Sequence, residues 1–216
     1  MTGYRIVVLA SGRGSNLRAL LDAERNGRLG GGQVACVASN RPGCDALRLA
    51  REAGIETLAY DPRDFDSREG FDQTLLGLAM LRRPDLLVCA GFMRVLGADA
   101  VQLAGGRMIN IHPSLLPAFP GLDPHGQAIR AGVTISGATV HFVIPETDAG
   151  PIIMQGAVPV AGDDTAETLA ARVLQLEHRI YPQALRLLAQ ERVRVADGRC
   201  RVTDGTLPQG NLISPA

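Results

Sequence analysis

RIVVLASGRGSNLRALL, residues 5–21, decides the fold. RIVVLA (5–10) is a short apolar run rich in β-branched residues, and it ends at a glycine turn, SGRGSN (11–16). Beyond the turn Leu17, Leu20 and Leu21 fall at helical spacing, so the stretch reads as strand, turn and helix. The same unit recurs downstream. QVACVAS (33–39) precedes a helix through DALRLAREAG (45–54), IETLAY (55–60) precedes one near 67–82, and DLLVCAG (85–91) precedes another short one. Strands that are almost continuously apolar, separated by amphipathic helices, imply a parallel sheet covered on both faces and joined by crossovers. The first hundred residues are therefore expected to be doubly wound.

From RMINIH (107–112) the texture changes. A loop rich in Pro and Gly, PSLLPAFPGLDPHG (113–126), leads through a short helix to GATVHFVI (137–144) and PIIMQGAVPV (151–160), which read as a hairpin-like pair of strands. TAETLAARVLQLEHRIYPQALRLLAQ (165–190) is a long amphipathic helix, expected to kink at Pro182 because proline removes an N–H from the ladder. RVRVADGRCRV (192–202) alternates around Asp197-Gly198, a two-residue hairpin turn. The expected fold is α/β, a doubly wound and mostly parallel sheet with an antiparallel C-terminal portion. No repeat or low-complexity linker divides the chain, so residues 1–216 are expected to form one domain, with a first half to about residue 100 and a second from 101 onward.

Composition narrows the class of function. The 216 residues are 46% hydrophobic and 20% charged, ordinary for a globular protein that buries a core without staples. Lys plus Arg (22) balances Asp plus Glu (22), so no field of one sign draws in nucleic acid or an anionic membrane surface. Any anionic ligand must be held locally. Cys36, Cys44, Cys89 and Cys200 form no Cys-x-x-Cys pair and read as buried thiols in a reducing compartment. No cluster of ligand-type residues calls for a metal. The apolar run in MTGYRIVVLASG is too short for a signal peptide, which places the expected location in the cytoplasm.

Two places in the sequence carry chemistry. In SGRGSN, backbone N–H groups and the positive end of a helix dipole can hold a phosphate. The dinucleotide fingerprint would need a third glycine where Leu17 stands and an acidic residue where Ser39 and Asn40 stand, so a phosphate monoester fits better than NAD. A competing reading makes Ser15 or Asn16 a simple helix cap. The second place is β-strand 107–112, where Asn110 and His112 lie two apart and so share one face at the carboxyl end of a strand. Pro113 restricts the backbone of His112. An amide N–H can donate to an oxyanion and a histidine can move a proton near neutrality, which together suit attack on a carbonyl. Asp148, in the turn ETDAGP (146–151), supplies a carboxylate that would favour a neighbouring imidazolium. No Gly-x-Ser-x-Gly elbow is present, so direct transfer is favoured over a covalent acyl-enzyme. His125, His141 and His178 read mainly as structural.

Taken together, ASGRGSN (10–16), AGFMRVL (90–96), NIHPSLLPAFPGLDPH (110–125), GATVHFV (137–143), DAGPIIMQ (148–155) and LEHRIYP (176–182) resemble the glycinamide ribonucleotide formyltransferases, a branch of the folate-dependent formyltransferase superfamily with a Rossmann-like fold. The resemblance spans nearly the whole chain. It implies that 10-formyltetrahydrofolate is the formyl donor and 5′-phosphoribosylglycinamide the acceptor, both small molecules. It implies Asn110, His112 and Asp148 as catalytic residues, and Gly14, Ser15, Asn16 and Glu177 as ribonucleotide contacts. Arg68, Met93, Arg94, Val95, Leu96, Asn110, Ile144, Pro145, Glu146, Thr147 and Asp148 would then meet the folate. Relatives usually differ at Pro145 and Thr147, and some carry a polar side chain where this chain has Leu174. A 10-formyltetrahydrofolate hydrolase or a formyltransferase for another amine is the alternative; those enzymes generally carry an additional domain. A monomer or homodimer is expected.

Overall fold

The computed structural model describes residues 3–203. Five βα units alternate along the chain. β1 (Tyr4–Leu9) runs into α1 (Ser15–Arg25), β2 (Gly32–Ser39) into α2 (Asp45–Glu52), and β3 (Glu56–Ala59), through a single 3-10 turn at Pro62–Asp64, into α3 (Arg68–Met80). β4 (Leu86–Cys89) leads to α4 (Ala98–Leu103) and β5 (Met108–His112) to α5 (Pro124–Arg130). β6 (Ile135–Phe142) and β7 (Ile152–Pro159) follow, then α6 (Ala166–Ala189) and a separate hairpin of β8 (Val193–Ala196) and β9 (Arg199–Val202).

One seven-stranded sheet has the order β3-β2-β1-β4-β5-β6-β7. Its central strands β1, β2 and β4 are largely buried, β3 at the sheet edge only partly so, and the helices pack against the sheet. The pairs up to β4–β5 are parallel, and β5–β6 and β6–β7 are antiparallel. Because β1 and β4 are neighbours, the order reverses there, and loops leave the carboxyl edge in opposite directions. That opens the crevice in which such sheets bind ligands.

Two apolar clusters cover the sheet. One joins α1, α2, α5 and α6 to one face, with Leu17, Leu20 and Tyr181 fully buried; the other joins α3 and α4 to the opposite face, with Phe71, Leu75 and Leu76 fully buried. Each such side chain contributes roughly 1.5–3 kcal/mol by leaving water. α6 starts at the capping box of Thr165 and Thr168 and continues through Pro182 as one helix to Ala189. The Tyr181 hydroxyl donates to the Cys89 carbonyl at 2.9 Å, fastening α6 to the end of β4.

Candidate active site

At the carboxyl end of β1, Gly14 takes the left-handed conformation (φ 74°) and serves as the N-cap of α1 without any side-chain cap. A Cβ there would lie 2.9 Å from the Ala46 Cα, so the close approach of the turn to α2 requires glycine. Neither Ser15 nor Asn16 caps the helix; both lie within it. The first N–H groups of α1 thus meet no capping side chain, as an anion site requires. The Asn16 side chain turns away from the turn toward α6, where its Nδ2 donates to Glu177 Oε2 at 2.7 Å. The Glu177 carboxyl is buried, and burial pushes its pKa up to about 7, with the Asn16 hydrogen bond opposing the shift. Asn16 Oδ1 is also buried and has no hydrogen-bond partner among the described residues.

The second half of the crevice is built on the antiparallel pair β5–β6. Register places Asn110 opposite His141 and His112 opposite Thr139, so all four side chains belong to the same strip of sheet. His112 is 6% exposed. Its Nε2 donates to the Phe119 carbonyl at 2.9 Å, while Nδ1 lies 3.3 Å from Asp148 Oδ2. The ring therefore has an acceptor on each side, one facing each ring nitrogen. Asp148 sits in the left-handed region (φ 54°), and its Oδ2 also accepts the Gly121 N–H at 2.8 Å. The turn that carries it closes tightly: a Cβ on Gly150 would lie 1.8 Å from the Phe142 carbonyl oxygen.

His141 belongs to this cluster, although the sequence pointed to a structural role. It is 3% exposed. Its Nδ1–H donates to the Phe142 carbonyl at 2.9 Å, Nε2 faces the Asn110 amide nitrogen at 3.4 Å, and Asp148 Oδ1 lies 3.8 Å away. Burial lowers its pKa, against the Phe142 carbonyl and Asp148, which raise it, and together with His112, which lowers it further. A neutral His141 with the proton on Nδ1 accepts one N–H of Asn110 and so fixes the amide plane. Only the pairing register of β5 and β6 reveals this role; spacing along the chain puts the two residues thirty-one apart.

Behind the cluster, Thr139 Oγ1 donates to the Ser114 carbonyl at 2.7 Å and accepts from Leu116 N–H and Gln155 Nε2, each at 3.0 Å. These bonds hold the loop that presents the Phe119 carbonyl to His112.

Of the remaining predicted contacts, Arg68 and Met93–Leu96 are brought together: Arg68 Nη2 donates to the Val95 carbonyl. Arg94 turns inward, its Nε paired with buried Asp72 and its guanidinium 4.6 Å from the Phe71 ring centroid. Ile144 and Asp148 are half-buried and Pro145, Glu146 and Thr147 exposed, on the loop beside Asp148. Among the described residues, no group of three or more His, Cys, Asp or Glu side chains is placed to hold a metal ion.

A model of the formyl transferase family matches residues 4–185. The chain is 42% identical to phosphoribosylglycinamide formyltransferase of Escherichia coli K12, across 94% of this chain and 95% of that protein. It is 48% identical over 185 residues to the trifunctional purine biosynthetic protein adenosine-3 of Drosophila melanogaster, of which it spans only 14%. Among solved structures, glycinamide ribonucleotide transformylase 1 of Symbiobacterium toebii superposes with a TM-score of 0.91 at 46% identity, covering 94% of this chain and 95% of that one.

Proposed function

The chain belongs to the formyl transferase family, and from that premise we propose that it transfers the formyl group of 10-formyltetrahydrofolate to the amine of 5′-phosphoribosylglycinamide in purine biosynthesis. The observation that carries this reading is the cluster of Asn110, His112, His141 and Asp148 at the carboxyl edge of β5, beside the uncapped turn of β1. An amide, an imidazolium and a carboxylate side by side suit direct attack of a neutral amine on a formyl carbon.

In that reaction the amine nitrogen bonds to the formyl carbon and the carbonyl oxygen becomes an oxyanion. Asn110 donates an N–H to it, and the imidazolium of His112 adds positive charge beside it. Asp148 holds His112 and orders the water that carries the amine proton toward the folate nitrogen. Cleavage of the carbon–nitrogen bond to that nitrogen yields the N-formyl product and tetrahydrofolate, without a covalent bond to the enzyme.

The ribonucleotide phosphate rests on the N–H groups of Gly14, Ser15 and Asn16, and the ribose hydroxyls donate to Glu177. The folate lies along Arg68, Met93–Leu96 and the 144–148 loop. Two guanidiniums, Arg68 and Arg94, share one carboxylate, Asp72, so this trio carries one formal positive charge. Residues to about 100 form the phosphate-binding half of a single domain and those beyond it the catalytic half. The enzyme works on small molecules in the cytoplasm, as a monomer or homodimer; no helix among the described residues is long and apolar enough to cross a membrane.

The test is the absorbance change on deformylation of 10-formyltetrahydrofolate with and without synthetic glycinamide ribonucleotide. Turnover that depends on the ribonucleotide is expected. Equal turnover in its absence would make the protein a hydrolase, and none in its presence would remove this acceptor.

A further inference from the structure

Met93 and Val95 are 72% and 55% exposed, so the segment that leaves β4 presents these two apolar side chains to water while Phe92 and Leu96 on either side of them pack into the core. Polar groups buried beneath it hold its backbone as well. At its head the Ser11 N–H donates to the Gly91 carbonyl at 3.1 Å, Ser11 Oγ accepts the Met93 N–H at 2.8 Å, and the hydroxyl donates to Asn40 Oδ1 at 2.6 Å. At its tail stands Asp72 of α3, fully buried between Phe71 and the Leu75–Leu76 pair of the core.

A carboxylate in such surroundings is tolerated only with partners, and every partner of Asp72 borders the same segment. Oδ1 takes Arg94 Nε, Oδ2 takes the Gly97 N–H at 3.2 Å, and Arg68 Nε lies 4.0 Å away. Arg68 reaches on to the Val95 carbonyl, and Arg94 Nη2 donates to the Arg68 carbonyl at 3.3 Å. Capping of α4 explains only the Gly97 contact, since Gly97 is the N-cap of that helix. It leaves the two arginines unexplained.

We propose that Asp72 is the positioning residue for the formyl-donor segment: its buried carboxylate clamps Arg94 and Gly97 so that the intervening backbone holds Met93 and Val95 toward the crevice. The proposal rests on the reading that Met93–Leu96 meets the folate. Asp72 itself touches neither substrate; it acts through the backbone it ties down.

Asp72→Asn keeps an acceptor for the Gly97 N–H and removes the charge that holds Arg94. The affinity of a stable 10-formyl folate analogue, both KM values, kcat and Tm would be measured on wild type and variant. A rise of about tenfold in the analogue Kd and in the donor KM is expected, with ribonucleotide KM and kcat changing by no more than about threefold. A lowered Tm with unchanged donor affinity would make Asp72 a structural residue only, and an equal rise in both KM values would equally overturn the proposal. Should the variant not fold, Gly97→Pro offers a second route. The φ of Gly97 is −66°, as proline demands, and a Cβ there meets nothing within 4 Å; the proline Cδ takes the place of the N–H that faces Asp72 Oδ2, so the change breaks the tail of the clamp. A donor-selective loss is expected again, and an unchanged donor affinity would end the proposal. If wild type bound the analogue but failed to turn over with the ribonucleotide, the acceptor reading would fall while the analogue affinities still tested Asp72.

Discussion

Asn16 and Glu177 stand 161 residues apart in the chain and form one buried pair, which makes the ribonucleotide side of the crevice sensitive to pH. Burial raises the Glu177 carboxyl from 4.5 to about 7. The groups that face it are Asn16 from α1 and, one turn along α6, Tyr181, whose own titration feels its charge. An acid whose folded pKa is raised stabilises the fold fully below its unfolded pKa and loses that contribution as pH climbs through the folded value. Wild type is therefore expected to lose stability relative to Glu177→Gln between about pH 4.5 and pH 7. Thermal melts of both proteins across that range check it; parallel curves would show that Glu177 does not titrate there. At the same scale, His141→Ala releases the Asn110 amide, and kcat is expected to drop about ten- to a hundredfold with ribonucleotide KM little changed. Steady-state kinetics with each substrate varied in turn decide this, and an unaltered kcat would mean that Asn110 orients itself.

β6 matters as an element because its inward side chains reach both His112 and the loop beyond it. Thr139 bonds three groups through one hydroxyl. Thr139→Val keeps the shape and leaves the Leu116 N–H and the Ser114 carbonyl without that partner. A loss of roughly 2–4 kcal/mol is expected from buried polar groups left unmade, together with lower turnover as the Phe119 carbonyl shifts from His112. Denaturant titration gives the first and the deformylation assay the second. The elements themselves could be read from local pattern: apolar strands and leucines at helical spacing located β1 to β5 and α1 to α3 to within a few residues. At Pro182 local propensity predicts a kink, and the structure shows the helix running unbroken through that residue to Ala189. A helix packed along most of its length tolerates the loss of one N–H, and local propensity does not register that packing.

Across the whole molecule, α6 closes the crevice by crossing one face of the sheet and bonding to β4 through Tyr181. Tyr181→Phe removes that bond at a cost of about 1 kcal/mol, expected to lower Tm by about 2–4 °C in a calorimetric scan. No change would show that packing alone holds the helix. Sequence by itself determined the fold class, the order of elements and the turn at 11–16, because periodicity and glycine placement are local properties of the chain; two-residue spacing put Asn110 and His112 on one strand face, and resemblance to the formyltransferases proposed Asp148 as their partner. Tertiary structure decided which distant residues meet. It put His141 opposite Asn110 through the register of two antiparallel strands, joined Asn16 to Glu177 across two helices, and turned Arg94 inward to a buried Asp72. Those pairings depend on strand register and on the electrostatic need of a buried charge for a partner, and neither is written in any short stretch of sequence.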